Sequence, residues 1–282
     1  MSKNTVKKML DDDFILSNGV AIPKIGFGTW QIKEGKEAYE SVLMALKIGY
    51  RHLDTATVYR NEKSVGRAIK DSGLKREDIF VTTKLPSHIK GYQSTFKELE
   101  KSLKKLGLDY IDLYLIHAPW PWTSIGSDHT QGNIDSWKAM IELYNNKKIR
   151  SIGVSNFAIS DIEAIVKATG FVPHVNQIPF YVGNPQKDIR EYCLKNNILV
   201  EAYSPLMSGK IFKFDILNQL AAKYHVTPAQ IAIRYTIEQN TLPLPKSTHE
   251  SRIIENKEID FVIDQEDVKK LEAIEINPKS RF

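Results

Sequence analysis

Four residues that can carry or hold protons, Asp54, Tyr59, Lys84 and His117, each lie where a predicted strand ends. Tyrosine, whose side chain ordinarily has a pKa of about 10, is a poor acid at neutral pH unless something stabilises its anion. A neighbouring ammonium group does so, and a carboxylate behind the lysine keeps that ammonium charged and in place. We therefore expect Lys84 to lower the pKa of Tyr59. The set predicts delivery of a proton to a carbonyl oxygen, with His117 holding that oxygen.

Each of the four residues also has an ordinary structural explanation when it is taken alone. His117 can be a core histidine bonded to backbone, and Asp54 with Lys84 can be a buried structural pair. Tyr59 can simply fill the rim of a fold. These alternatives stay open from the residues themselves, and a site that reduces a carbonyl also needs a source of electrons.

A second polar segment follows the last predicted strand, between Leu244 and Asn256. Lys246, with Ser247 and Thr248, precedes a helix predicted from about residue 249. On that helix Arg252 and Asn256 are four residues apart and therefore face the same way. Helix N-termini present free N–H groups and a positive dipole end to phosphate. The segment predicts a phosphate-bearing cofactor; a capped surface helix with ordinary basic residues is the alternative.

The elements that position these residues alternate along the chain, with short apolar runs followed by amphipathic stretches, a pattern typical of a parallel sheet covered by helices. Asn18-Gly19 predicts an N-terminal hairpin before them. We predict eight strands near 24–28, 50–55, 79–84, 111–117, 149–154, 173–178, 198–203 and 241–245. We predict helices near 35–48, 62–72, 94–106, 134–147, 160–168, 185–196, 214–239, 249–257 and 265–274, with a break at Thr227-Pro228. Eight strands fit a closed (β/α)8 TIM barrel, whose chemistry lies at the carboxyl ends of its strands.

Composition agrees with one globular barrel. The chain has 282 residues, against roughly 250 for a typical barrel, and we expect a single domain over residues 1–282. Hydrophobic residues make up 42% and the net charge is +5, with basic residues scattered, so nucleic acid is not an expected partner. Cys193 is the one cysteine, and no membrane-spanning run is present. The first 13 residues lack the apolar centre of a signal peptide, so we expect a cytoplasmic monomer.

Three separated segments carry a family resemblance that extends over nearly the whole chain. They are Gly49–Asp54 followed by Tyr59, Asn61-Glu62 and Val65-Gly66, then Ile152–Phe157, and then Leu244–Asn256. Together they resemble the aldo-keto reductases, and in particular the microbial members. The resemblance implies an α/β TIM barrel with an N-terminal β-hairpin and extra C-terminal helices. This architecture agrees with the independent count of strands.

The resemblance also implies roles for individual residues. Asp54, Tyr59, Lys84 and His117 match a catalytic tetrad in which Tyr59 is the general acid for reduction. NADPH is the implied cofactor, with no metal. The implied cofactor contacts are Ser155, Asn156 and Gln177 on the carboxamide, Tyr203 on the nicotinamide ring, Thr29, Trp30 and Asp54 nearby, Ser204, Leu206 and Ser208 along the pyrophosphate, Lys246, Ser247, Thr248 and Arg252 on the 2′-phosphate, and Glu255 and Asn256 on adenine.

Cofactor choice follows from the charges, because a 2′-phosphate favours two nearby cations and both Lys246 and Arg252 are present. A Rossmann fold is not favoured, since Gly26-x-Gly28 is followed by Gln31 where a third glycine belongs. We expect the dinucleotide to lie along the barrel instead.

The substrate pocket departs from the family pattern at two positions where relatives often carry aromatic residues, namely Pro86 and Ala118. Both changes remove bulk, and the chain ends soon after its last predicted helix, so we expect an open pocket without a long C-terminal loop. The predicted substrate contacts are Trp30, Val58, Tyr59, Leu85, His117 and Trp120, with Trp122 beside them. We expect aldehydes, dicarbonyls and some ketones as substrates.

Two other classes of protein stay possible at this point. One is a nucleotide-sensing accessory subunit without turnover, against which an intact tetrad argues. The other is a different barrel enzyme, such as a phosphate-substrate lyase or a metal hydrolase that uses Asp54 and His117. Neither a His-x-His pair nor a carboxylate cluster supports a metal in this sequence.

Overall fold

The computed structural model describes residues 13–274. Two strands form an antiparallel hairpin, and the other eight form one parallel sheet. The strands are β1 (Asp13–Ile15), β2 (Ala21–Pro23), β3 (Phe27–Gly28), β4 (His52–Asp54), β5 (Phe80–Leu85), β6 (Ile111–Ile116), β7 (Ile149–Ser155), β8 (Val175–Pro179), β9 (Leu199–Tyr203) and β10 (Thr241–Leu244).

Helices connect successive barrel strands, and two more follow the last strand. The helices are α1 (Lys36–Ile48), α2 (Glu62–Asp71), α3 (Tyr92–Leu106), α4 (Thr130–Asn145), α5 (Ile159–Thr169), α6 (Lys187–Lys195), α7 (Asp215–Tyr224), α8 (Pro228–Glu238), α9 (Glu250–Lys257) and α10 (Gln265–Glu272). Short 3₁₀ helices cover Thr57–Tyr59, Arg76–Asp78 and Met207–Lys213. The strands, the connecting helices and the extra C-terminal helices agree with those predicted from the sequence.

The sheet closes on itself between its first and last strands. Neighbouring strands from β3 to β10 pair in chain order, and backbone hydrogen bonds then join the two edges, from Gly26 N to Pro243 O and from Gly28 N to Pro245 O, both 3.0 Å long. The close approach needs glycine, because a Cβ on Gly26 would lie 2.5 Å from a methyl group of Leu244. Closure removes the sheet edges, and the predicted (β/α)8 barrel is confirmed.

Alternation along the strands fills the barrel interior. Leu113 and Leu115 on β6 pack with apolar side chains of other strands, and Leu16 and Ile22 of the hairpin segment belong to the same cluster. A second, larger apolar cluster lies between the sheet and the surrounding helices. The hairpin therefore plugs one end of the barrel and leaves the carboxyl ends of the strands for the polar residues.

The break predicted at Thr227-Pro228 separates α7 from α8. Thr227 Oγ1 accepts a hydrogen bond from Gln230 N at 3.2 Å, and the Gln230 side chain accepts one from Thr227 N at 2.8 Å. This reciprocal capping box, with Pro228 in the first turn, fixes where α8 begins.

Several predictions concern residues beyond the described range. The ends of the predicted single domain, the N-terminal segment used to predict a cytoplasmic location, and the chain end used to predict the absence of a long loop all include residues of 1–12 or 275–282, which lie outside the described residues. Within residues 13–274, no helix has the length and apolar character needed to cross a membrane.

Candidate active site

The four predicted catalytic residues meet at the carboxyl ends of β4, β5 and β6. Lys84 Nζ donates to both Asp54 carboxylate oxygens, at 2.7 and 2.8 Å, and to Thr55 O at 2.9 Å. It also lies 3.4 Å from the hydroxyl oxygen of Tyr59. Lys84 has no exposed surface and Asp54 almost none, so the ion pair is shielded from solvent. Because Asp54 and the Thr55 carbonyl hold the ammonium, one face of Lys84 is directed at Tyr59.

Tyr59 ends the 3₁₀ helix that follows β4. The next residue, Arg60, takes a left-handed conformation with φ of 60°, which ends this turn and leads into α2. Burial raises the pKa of Tyr59 above its ordinary value, and the charge of Lys84 opposes that rise without cancelling it. The expected net lowering of this pKa is therefore wrong for the protein alone. Tyr59 keeps its proton at neutral pH, as a proton donor must.

His117 follows β6 and closes the other side of the tetrad. Its backbone N–H donates to Leu85 O at 3.1 Å, and its ring meets the Tyr59 ring edge-on, with centroids 5.7 Å apart. Burial, together with the charge of Lys84, holds the pKa of His117 well below its usual range, so the imidazole is neutral. Its Nδ1 is buried without a hydrogen-bond partner among residues 13–274. A neutral ring can donate one hydrogen bond without competing for the proton of Tyr59.

A buried network lies beneath the tetrad and includes a residue that the sequence reasoning missed. Gln177 Nε2 donates to Asp54 Oδ2 at 2.9 Å and to Glu201 Oε2 at 2.8 Å. Glu201 lies on β9 with no exposed surface. The sequence shows only an acidic residue inside a short predicted strand. Such a residue is equally typical of a polar position that faces outward.

Three further predicted residues hold one another at the ends of β7 and β9. Asn156 has a φ of 61°, and its Nδ2 donates to His117 O at 3.0 Å and to Ser155 Oγ at 2.9 Å. The hydroxyl group of Tyr203 donates to Asn156 Oδ1 at 2.8 Å. Asn156 therefore links the backbone of His117 to the aromatic ring on β9, and these hydrogen bonds restrain the side chains in this part of the site.

One cavity of about 1080 Å³ joins this cluster to the segment before α9. Most of the predicted site residues line it: Trp30, Asp54, Val58, Tyr59, His117, Ser155, Asn156, Gln177, Tyr203, Ser204, Leu206, Ser208, Lys246, Ser247, Thr248, Arg252, Glu255 and Asn256. The sequence reasoning missed other lining residues, among them Gln31, Phe212 and His249. The two polar segments that were separate in the sequence thus belong to one elongated site.

Four predicted residues do not line the cavity. Lys84 lies behind Asp54 and Tyr59, and Thr29 is buried with its hydroxyl donating to Asp54 O at 2.9 Å. Leu85 is fully buried in the apolar layer beneath the helices, so the structure does not bring it to the substrate. Trp120 lines a neighbouring cavity of about 900 Å³ and packs edge-on against Trp122, with centroids 5.0 Å apart. Trp122 lines the main cavity in its place.

The far end of the cavity carries unpaired positive charge. Lys246 and Arg252 are exposed, and no carboxylate of residues 13–274 lies within 4.0 Å of either. The helix α9 begins at Glu250 between them, and Asn256 is buried one turn after Arg252. Glu255 accepts a hydrogen bond from Thr227 Oγ1 at 2.6 Å, which fixes the position of its carboxylate. Two free cations and a helix N-terminus suit a phosphate group, and a cavity lined both by the tetrad and by residues of α9 suits a dinucleotide such as NADPH.

Comparison with known proteins agrees with this geometry. The family model described as the aldo/keto reductase family matches residues 24–276. The chain belongs to the aldo/keto reductase family. The resemblance inferred from the three sequence segments is thereby confirmed, and the chain is an oxidoreductase of that family.

Individual members of the family are similar over almost their whole length. The glyoxal reductase of Bacillus subtilis is 44% identical over 266 residues, which cover 94% of this chain and 93% of the relative. A crystal structure of an aldo/keto reductase from Brucella melitensis superposes with a TM-score of 0.87 and 42% identity, covering 92% of this chain and 98% of that one. A Bombyx mori aldo-keto reductase in complex with NADP has a TM-score of 0.83 and 35% identity, with coverages of 92% and 91%.

The sequence offers no support for a metal site. Within residues 13–274, no three or more His, Cys, Asp or Glu side chains are grouped so that they could hold a metal ion. Among the titratable groups around the cavity, the carboxylate of Asp54 is already bonded to Lys84 and Gln177.

Proposed function

We propose that this protein reduces aldehydes, dicarbonyls and some ketones to alcohols with NADPH, and that Tyr59 is the general acid. The observation that carries the proposal is a single cavity with the Lys84–Tyr59–His117 cluster at one end and the free cations Lys246 and Arg252 at the other. NADPH, when bound, supplies the hydride. The protein then has to bind the carbonyl, hold its oxygen and deliver one proton.

Tyr59 delivers that proton. As the carbonyl carbon gains the hydride, negative charge develops on its oxygen, and the proton of the Tyr59 hydroxyl moves to that oxygen to give the alcohol. The tyrosinate left behind lies 3.4 Å from Lys84 Nζ, and the opposite charge stabilises it until a solvent proton replaces the one donated. Asp54, bonded to Lys84 through both oxygens, keeps the ammonium protonated and aimed at Tyr59.

His117 orients the carbonyl by donating a hydrogen bond to the same oxygen. Its neutral state is set by burial and by the charge of Lys84, both of which lower its pKa. An imidazolium ion here would give up a proton more readily than Tyr59. The neutral ring therefore leaves Tyr59 as the acid and stabilises the developing charge by hydrogen bonding.

The cofactor is held along the whole cavity in this proposal. Gln177 binds the carboxamide, and Tyr203 stacks on the nicotinamide ring, while Lys246 and Arg252 bind the 2′-phosphate. The remaining proposed contacts are Thr29, Trp30 and Asp54 near the ring, Ser155 and Asn156 on the carboxamide, Ser204, Leu206 and Ser208 along the pyrophosphate, Ser247 and Thr248 at the phosphate, and Glu255 and Asn256 at adenine. Thr29 acts through Asp54, because its side chain is bonded to the Asp54 carbonyl.

The substrate pocket is wide because its walls are exposed aromatic and aliphatic side chains at the cavity mouth. Trp30, Val58 and Trp122 are 44%, 38% and 45% exposed. Ala118, beside His117, is fully buried and does not line the cavity. Side chains on an open rim contact the apolar part of a substrate without enclosing it. This arrangement supports a broad range of carbonyl compounds.

Turnover across a panel of carbonyl compounds tests the proposal. Purified protein is mixed with NADPH and, in turn, with simple aldehydes, glyoxal-type dicarbonyls, ketoesters and keto sugars, and loss of the NADPH absorbance band is followed. Consumption that depends on the carbonyl compound is expected, fastest with aldehydes and dicarbonyls. Tight NADPH binding with no turnover on any of them would instead indicate an accessory nucleotide sensor. Absence of both would indicate a different kind of barrel enzyme.

We also propose that the protein works as a cytoplasmic monomer on a small molecule and not on nucleic acid. The single cysteine, Cys193, is buried and free, which suits a reducing compartment. Light scattering at working concentration tests the monomer, and it would be contradicted by a mass of twice the chain.

A further inference from the structure

The amide of Gln177 is held by two carboxyl groups at once. Its Nε2 donates to Asp54 Oδ2 at 2.9 Å and to Glu201 Oε2 at 2.8 Å. An amide nitrogen carries two hydrogens, so both are used. Gln177 is 2% exposed and lines the cavity, and its Oε1 makes no hydrogen bond to a residue of 13–274. The oxygen is therefore the group that this amide offers to a ligand.

Asp54 cannot by itself fix the amide in this way. Asp54 takes one of the two hydrogens, and it is also bonded to Lys84. Without Glu201, the second N–H would be buried and unpaired, which is costly enough for the amide to turn away. Glu201, which sits deeper in the barrel, takes that second hydrogen. The orientation of Gln177 thus depends on a residue that does not line the cavity.

Among the described residues, the side chain of Glu201 makes no other hydrogen bond. Its Oε1 is buried without a hydrogen-bond partner among residues 13–274, and the nearest basic atom, His52 Nε2, is 3.8 Å away. His52 Nε2 is instead within 2.9 Å of Thr82 Oγ1. Burial and the charge of Asp54 raise the pKa of Glu201 to about 8, so it is a neutral acid at neutral pH. Because Glu201 is neutral, the Gln177 amide bridges two carboxyl groups without bringing two negative charges close together.

We propose that Glu201 is a positioning residue for the cofactor: it fixes the Gln177 amide so that Gln177 Oε1 accepts a hydrogen bond from the carboxamide NH₂ of the nicotinamide. The inference rests on the proposed function, because it requires the nicotinamide at this end of the cavity. It adds a selectivity, since a pyridine nucleotide whose ring carries an acetyl group in place of the carboxamide has no NH₂ to donate.

A purely structural role for Glu201 predicts something different. Loss of packing or of a buried hydrogen bond weakens the fold and weakens the binding of all nucleotides alike. Loss of amide orientation weakens the binding of only those nucleotides that carry the carboxamide. The ratio of two dissociation constants therefore separates the two roles, whereas activity alone does not.

The experiment measures binding of NADP⁺ and of its 3-acetylpyridine analogue by quenching of tryptophan fluorescence. The native protein, Glu201→Leu, Glu201→Gln and Glu62→Leu are compared. Glu201→Gln keeps an oxygen that can accept from Gln177. Glu62→Leu is the matched control, because Glu62 is also buried and bonded, to Thr83 Oγ1 at 2.8 Å, but has no contact with Gln177. Thermal unfolding shows that each variant is folded.

The native protein is expected to prefer NADP⁺ over the analogue by about 3- to 10-fold, the usual range for one hydrogen bond. Glu201→Leu should bring that ratio close to one, while Glu201→Gln and Glu62→Leu keep it. An unchanged ratio in Glu201→Leu overturns the inference and leaves the proposed function standing. If the native protein binds both nucleotides equally well, the inference is overturned without any variant. This result can be obtained even if Glu201→Leu does not fold. No binding of either nucleotide to the native protein overturns both.

Discussion

The ammonium nitrogen of Lys84 lies 3.4 Å from the hydroxyl oxygen of Tyr59, inside a site where Lys84 has no exposed surface. Tyr59→Phe removes that hydroxyl and leaves the ring contact with His117 in place. We expect carbonyl reduction to fall by about 100-fold to 10,000-fold, the usual contribution of a general acid, with NADPH affinity changed little. Steady-state kinetics and a fluorescence titration measure the two quantities.

The matched control for Tyr59→Phe is Tyr39→Phe. The hydroxyl group of Tyr39 likewise has a charged partner, since it donates a hydrogen bond to Asp71 Oδ2 at 3.0 Å, but on the exposed surface between α1 and α2. Its removal should leave turnover unchanged. Turnover retained in Tyr59→Phe would contradict the role of Tyr59 as the acid.

The positions of the four catalytic residues were predictable because parallel strands in a barrel end at the same rim, so strand ends alone bring them together. Alternation should also have excluded Leu85. Lys84 points into the barrel, and the next residue on the strand must point to the helices, where Leu85 is buried. The contact between Glu201 and Gln177 could not be predicted, because the two residues lie on different strands and the sequence of neither strand determines their register.

The direction of the Tyr59 pKa shift was not predictable for a different reason. The neighbouring cation is visible in the sequence as soon as the strands are placed, and it does lower the pKa of Tyr59. The depth at which Tyr59 sits is not visible there, and the cost of burying a phenolate is the larger effect. The charged neighbours of a residue can be predicted from the topology of the fold, whereas the extent of its desolvation depends on how side chains pack around the site.

The free cations at the far end of the cavity predict a difference between cofactors. Arg252→Ala removes one charged partner of a 2′-phosphate that NADPH has and NADH lacks. We expect NADPH to bind about 10- to 100-fold more weakly, as for the loss of a hydrogen bond to a charged group, and NADH to be nearly unaffected. Titration of both nucleotides measures this, with Arg67→Ala as a control, since Arg67 is paired with Asp71 on the outer surface of α2. Equal losses for both nucleotides would rule out the 2′-phosphate assignment.

Trp122 and Trp120 provide a matched pair for the substrate pocket. Trp122 lines the main cavity and meets His117 edge-on, with centroids 6.0 Å apart, whereas Trp120 lines the neighbouring cavity. Trp122→Ala should raise the KM for aromatic aldehydes by about 3- to 10-fold, the loss expected for an aromatic contact, and should affect glyoxal much less. Trp120→Ala should have the smaller effect. A larger effect at Trp120 would show that the substrate approaches from the second cavity.

The buried acid Glu201 predicts how stability depends on pH. Its pKa is about 8 in the folded protein, against an ordinary value of 4.5. Between these values the folded chain holds a proton that the unfolded chain has released, so the free energy of unfolding falls as pH rises and the contribution is lost by about pH 8. The slope is at most about 1.4 kcal/mol per pH unit. Glu201→Gln does not titrate and should lack this slope.

The useful window lies between about pH 7 and pH 8, where the buried histidines of residues 13–274, whose pKa values are lowered, contribute little. The pKa of His52 is lowered to about 3 from 6.5, so its contribution changes only below that ordinary value. The pKa of Lys90 is lowered to about 8 from 10.5, so its contribution also begins to change in this window, with the opposite sign, but it is the same in the native protein and in Glu201→Gln and cancels when the two are compared. Urea unfolding at several pH values in this window compares the native protein with Glu201→Gln. If both lost stability equally as the pH rises, Glu201 would already be ionised in the folded protein, and Gln177 would bridge two charged carboxylates.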